Sequence, residues 1–171
     1  PNQVSESLML ETIAKLGEAR ASGILPIDLV QLDDGWQSAW GDWLTPSSTR
    51  FPNGLEPVTA AAAAAGLTAG LWIAPAAMTQ GSRLMAEHPE WVLRTPSGAP
   101  LKCGWTAPGL WIYALDVTHP GALGYIRSVI RTATRTWASP SNPNPNSNPN
   151  SEPSPNSNPN PNQVGLLLPQ A

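Results

Sequence analysis

Leu8, Ile13 and Leu16 lie among good helix formers between Ser5 and Ala21. That spacing predicts an amphipathic helix with Ser5 or Ser7 as N-cap and Gly23 as its stop. The period then changes. Ile27-Asp28-Leu29-Val30-Gln31-Leu32 is short, aliphatic and bounded by Pro26 and Gly35, which reads as a buried strand. Residues 37 to 56 mix aromatics with Pro, Ser and Gly without periodicity, so a long loop of the kind that carries function follows that strand. Val58 to Ala65 is helical by its alanine content and ends at Gly66, and Gly70-Leu71-Trp72-Ile73-Ala74-Pro75 repeats the short buried strand. After a looser stretch from Ala76 to Pro108, Trp111 to Leu115 reads as another extended piece. Thr118 followed by Pro120 then starts a helix that runs to about Trp137.

Strands alternating with helices over short connections point to an α/β fold with parallel βαβ units, in either a closed eightfold barrel or an open doubly wound sheet. No glycine-rich phosphate fingerprint follows either strand. The pattern stops near Ala138. From Ser139 to Asn162 the chain is a Pro/Asn/Ser tract without apolar residues, which cannot bury enough surface to offset chain entropy and is expected to be disordered. The chain therefore divides into a foldable part, residues 1–138, and a low-complexity tail, residues 139–171. Pro-Asn-Gln-Val occurs at residues 1 to 4 and again at 161 to 164. Both flanks are expected to be low-complexity insertion or mistranslated intron, which transcript sequencing beyond Trp137 tests.

Composition narrows the partners. A formal net charge of -3 at pH 7 without long runs of one sign leaves no electrostatic footprint for nucleic acid or an anionic membrane. No apolar run approaches the roughly 20 residues that span a bilayer. Cys103 stands alone, which excludes an intrachain disulfide and a cysteine-built metal site, and it reads as a structural residue. The compartment is not legible.

Candidate chemistry gathers where the first strand ends. Asp33 and Asp34 sit at the C-terminal end of a parallel strand, where barrel enzymes assemble their sites. Adjacent strand residues point to opposite faces, so the pair is poorly placed as nucleophile and acid, which in a retaining glycosidase lie about 5 to 5.5 Å apart. Accepting from sugar hydroxyls suits them better, and capping a following turn is an equal alternative. Trp36, Trp40, Trp43 and Trp72 lie in or near the same rim, and flat rings stack on a sugar's apolar face. For Trp72 core packing is the simpler reading, whereas Trp40 and Trp43 lie in the loop. His88 and His119 each precede proline and read as helix caps rather than metal ligands, and Asp116 reads as a hydrogen-bond partner for the helix start.

Leu32-Asp33-Asp34-Gly35-Trp36-Gln37, Gly41-Asp42-Trp43-Leu44 and Arg50-Phe51-Pro52-Asn53-Gly54-Leu55 follow one another in order. So do Gly70-Leu71-Trp72-Ile73-Ala74-Pro75, His88-Pro89-Glu90-Trp91-Val92-Leu93 and Tyr113-Ala114-Leu115-Asp116-Val117-Thr118-His119-Pro120. The series resembles the melibiase-type α-galactosidases, glycoside hydrolase family thirty-six, over roughly Ser5 to Trp137. The resemblance implies an incomplete (β/α)8 TIM barrel in residues 1–138, holding about strands 2 and 3 of the eight and about three strands in all. It implies retaining hydrolysis of terminal α-galactosyl residues without metal or organic cofactor, on an α-galactoside substrate, and leaves a homo-oligomeric parent open. By position, Asp33 and Asp34 would hold galactose hydroxyls, Trp36 and Trp72 would line the pocket, and Asp42 and Trp43 would shape its rim. The family's Lys-x-Asp nucleophile strand and its acid/base have no counterpart in the 171 residues, so catalytic residues are expected to be absent. Three other readings stand beside this one: a raffinose- or stachyose-synthase-like galactosyl transferase fragment, a non-catalytic carbohydrate-binding remnant, and a defective gene product.

Overall fold

The computed structural model describes residues 4–137. The Pro/Asn/Ser tail and the second Pro-Asn-Gln-Val lie outside the described residues. Helix α1 (Glu6–Ala21) begins where Ser5, in an extended conformation, turns its hydroxyl back to accept from the Leu8 amide. It ends before Gly23, whose φ of 73° few other residues adopt cheaply. Its buried face is Glu6, Met9 and Ile13, while Leu8, expected in the core, is exposed. The helix is rotated because Glu6 is needed inside: its carboxylate accepts from both the backbone and side-chain amides of Asn53, at 3.1 and 2.9 Å. One carboxylate thus anchors the first helix turn to the long loop.

At the other end of α1, Arg20 donates to the Ile27 carbonyl and the Asp28 carboxylate, which sets the direction of strand β1 (Leu29–Leu32). Helix α2 (Glu56–Ala64) crosses over to strand β2 (Thr68–Leu71), and the two strands pair in parallel, Leu29 opposite Thr68 through Leu32 opposite Leu71. A bond from the Trp72 amide to the Leu32 carbonyl carries the pairing one residue further. The predicted βαβ unit is present. β1 is nonetheless buried only at Leu32; among the described residues it has β2 as its one neighbouring strand.

The stretch from Ala76 to Pro108, expected to be loose, forms a second sheet. Strands β3 (Ala77–Thr79), β4 (Lys102–Ala107) and β5 (Leu110–Ala114) pair antiparallel in the order β3-β5-β4. A short helix α3 (Arg83–Glu87) and a 3-10 turn at Pro89–Trp91 lie between β3 and β4. The extended piece near Trp111 therefore belongs to this antiparallel sheet, so the expected three parallel strands reduce to two. Its hairpin pairing is non-periodic in sequence because the register shifts twice between β4 and β5.

Helix α4 (Pro120–Thr132) starts one residue later than Thr118 suggested. His119 is the N-cap, its Nδ1 accepting from the Gly121 amide at 3.1 Å, and Asp116 accepts from both the amide and the hydroxyl of Thr118. A π-helical turn continues from Ala133 to Trp137. Two apolar clusters result: one joins α1, α2, β1 and β2 with Trp36, Trp43 and Trp137, and the other packs Met78, Leu84, Val92 and Tyr113 against α4. Tyr125 touches both.

Candidate functional site

The chain leaves β1 at Leu32 and turns at once, because Gly35 takes a φ of 112°. This turn separates the two acids. Asp33 is exposed and accepts from the Asp34 amide at 2.7 Å, while Asp34 is half-buried. Oδ1 of Asp34 accepts from the side-chain amide of Gln37 at 2.6 Å and from the indole N–H of Trp40 at 3.0 Å. These donors hold the carboxylate in one orientation, charge-assisted and partly shielded from water. Both carboxylates thus accept hydrogen bonds within the turn, as the capping reading expected.

Asp34, Gln37, Trp40, Arg50, Thr79 and Thr106 line an open concavity of about 480 Å³. A second gap, among Met9, Leu32, Leu55, Val58 and Trp137, is only about 20 Å³ and almost wholly apolar, a packing crevice. Gln37, Arg50 and Thr79 were not singled out in the sequence. Gln37 carried a faint signal, an amide three residues after a carboxylate on a turn, but nothing local marks Thr79 or the Arg50 guanidinium, whose Nη2 donates to the Gln37 carbonyl.

The tryptophans divide by burial. Trp36 and Trp43 have no exposed surface, and their indole N–H groups donate to the carbonyls of Trp72 and Ala77. Both, expected by resemblance at the pocket and its rim, are enclosed in the first apolar cluster, where Trp36 meets Trp43 and Trp137. Trp40 and Trp72 are only half-buried, with ring centroids 5.2 Å apart, and each packs on Trp43 at 5.7 and 5.9 Å. Of this half-buried pair, Trp40 lines the concavity beside Asp34, and Trp72 packs on Trp40. Asp42, also expected at the substrate, accepts from the backbone amides of Arg83 and Leu84 and from the Ser38 hydroxyl. Its carboxylate fastens the loop to the start of α3.

The order of these residues along the chain matches a known pattern: the Melibiase family profile covers residues 8–137. The chain belongs to the melibiase family. Among melibiase relatives, an α-galactosidase of Escherichia coli is 32% identical over 116 residues, covering 63% of this chain and 15% of its own length. Probable α-galactosidase C of Aspergillus oryzae is 30% identical over 158 residues, which is 77% of this chain and 21% of that protein. The α-galactosidase of Thermus thermophilus, solved with p-nitrophenyl α-D-galactopyranoside, superposes with a TM-score of 0.70 at 33% identity, covering 80% of this chain and 26% of that one. The chain thus spans a minor part of the length of the relatives it matches.

Within this melibiase chain, Tyr125 reaches from α4 into the site loop, its hydroxyl donating to the Gly41 carbonyl and accepting from the Trp43 amide. Burial pushes its phenol up to about 12, the nearby Asp42 charge adds to this, and the bond from Trp43 opposes it. An unfolded tyrosine ionises near about 10, so the folded state favours the neutral phenol. Stability from this preference is complete below about pH 10 and is lost as pH rises toward about 12. Melting temperatures of wild type and Tyr125→Phe are therefore expected to keep a constant gap up to about pH 10 and to converge above it.

The remaining candidates are structural. His88 stacks on Trp91 at 3.7 Å with a 3° interplanar angle and pairs with Glu90, and the Asp116 carboxyl is held below its ordinary range by the Thr118 hydroxyl and amide. Cys103, read as a structural residue, is exposed on β4, at the register shift between Lys102 and Gly104. No group of three metal-ligating side chains occurs among the described residues.

Proposed function

We propose that this chain supplies the galactose-holding part of a retaining α-galactosidase barrel, with β1 and β2 as two neighbouring barrel strands. The observation that carries the reading is the Asp34 carboxylate, fixed by Gln37 and Trp40 at the C-terminal end of a parallel strand and lining an open concavity. Asp33 and Asp34 accept from neighbouring galactose hydroxyls, which ionised carboxylates do strongly and directionally. Trp72, with Trp40 beside it, offers its ring to the sugar's apolar face. Trp36, Trp43 and Asp42 contribute by holding those groups in place. Support comes also from the relatives: the Thermus thermophilus and Geobacillus stearothermophilus α-galactosidases were solved with stachyose and raffinose respectively.

Hydrolysis by the 171-residue chain alone is a different matter. Retention needs two carboxyls about 5 to 5.5 Å apart, one as nucleophile and one as acid/base, and Asp42 and Asp116 are committed to backbone amides while Asp33 and Asp34 diverge from one turn. The purified chain is expected to gain melting temperature with galactose by mass action and to leave p-nitrophenyl α-galactoside uncleaved. Equal thermal shifts with glucose and galactose would overturn the clamp, and turnover of the aryl galactoside would overturn the inactivity.

A further inference from the structure

We infer that Tyr125 is a positioning residue that holds the Asp34 clamp in shape from α4, 82 residues beyond the loop it grips; the consequence for sugar binding rests on the reading above. The turn from Ala39 to Trp43 belongs to no strand, and its only internal backbone bond runs from the Asp42 amide to the Ala39 carbonyl. Its position is set from outside. On one side Thr79 donates its amide and its hydroxyl to the Trp40 carbonyl. There the backbone approaches so closely that a Cβ on Gly41, whose φ is 114°, would lie 2.8 Å from Met78 Cβ and Ser82 Oγ.

On the other side Tyr125 takes the two polar groups that flank Asp42. Its hydroxyl donates to the Gly41 carbonyl and accepts from the Trp43 amide, which uses a phenol's donor and acceptor together. The turn is thus held between β3 and α4. Trp40 lies in the middle of it, and the Trp40 indole N–H is one of the two named donors that orient Asp34. Removing the Tyr125 hydroxyl leaves the Gly41 carbonyl and the buried Trp43 amide without these partners, and the turn relaxes toward water. The phenyl ring of Tyr125→Phe still fills the space between the two apolar clusters, so the fold survives.

Two-dimensional ¹⁵N spectra of the full chain resolve the indole N–H groups of its eight tryptophans. In Tyr125→Phe, Trp40 indole hydrogen exchange is expected to accelerate about tenfold, as loss of roughly one hydrogen bond implies, and Trp36, bonded to the Trp72 carbonyl, to be unchanged. Galactose affinity is expected to fall by a similar factor. Val129→Ala on the same helix, which touches neither Gly41 nor Trp43 through a hydrogen bond, serves as the stability control. It is expected to lower the melting temperature while leaving Trp40 exchange and galactose affinity at wild-type values. Wild-type Trp40 exchange in Tyr125→Phe, or equal acceleration in Val129→Ala, overturns the proposal. A wild-type chain that takes up no galactose overturns the sugar reading instead, and the Trp40 comparison still decides the role of Tyr125.

Discussion

Asp34→Ala lowers galactose affinity by at least about tenfold, and Asp34→Asn lowers it nearly as far. A hydrogen bond to a charged group contributes about 1.5 to 3 kcal/mol, against roughly 0.5 to 1.5 for a neutral one, and each 1.4 kcal/mol is about a factor of ten in affinity. The alanine variant removes the charge and releases the Gln37 amide and the Trp40 indole, which lie 2.6 and 3.0 Å from Oδ1. The asparagine variant keeps an oxygen that both donors reach and loses only the charge. Comparing the two separates roles. Calorimetric titration in which Asp34→Asn binds galactose like wild type would show that Asp34 braces the loop and does not hold the sugar.

Trp36→Ala destabilises the fold by about 3 to 5 kcal/mol, the range for truncating a fully buried aromatic. The ring has no exposed surface, meets Trp137 edge-on with centroids 5.3 Å apart, and lies 6.2 Å from Trp43 at 53°. Alanine leaves a cavity at the junction of these rings and removes the indole donor to the Trp72 carbonyl, 2.9 Å away. That carbonyl belongs to Trp72, the residue whose ring is proposed to face the sugar. Chemical denaturation reads the loss directly. If stability stays within about 1 kcal/mol of wild type while galactose affinity collapses, Trp36 is a sugar platform and its scaffold role is wrong.

These two expectations assign opposite tasks to residues two positions apart in one short motif, Asp33-Asp34-Gly35-Trp36-Gln37. Local pattern placed the motif well. Strand β1 ends at Leu32 and the acids follow it, as short aliphatic runs bounded by proline and glycine indicate, and helices α1, α2 and α4 lie near where capping residues and alanine content put them. These features depend on neighbours within a few residues, so the chain states them openly. The ordered series of motifs likewise carried the family, because each block is local even when the blocks are far apart.

What the chain did not state is which side chains face water. Sequence distance could not show that Trp43 lies under Ala77 while Trp40, three residues earlier, turns its indole to Asp34. Nor could it show that the antiparallel sheet of residues 77–114 would form, since its strands pair across two register shifts that erase the alternation of apolar and polar positions. Nor could it show that Asp42, expected by resemblance to shape the pocket rim, accepts from the amides of Arg83 and Leu84 at the start of α3, 41 and 42 residues away. The sequence by itself determined helices α1, α2 and α4, the two parallel strands, the family and the place of the acid pair. Only the tertiary structure decided which tryptophans are fully buried, which carboxylate lines the concavity, and that Tyr125 bonds to the turn from Ala39 to Trp43. Burial and hydrogen-bond partnership are set by contacts between distant segments, and those contacts exist only once the chain has folded.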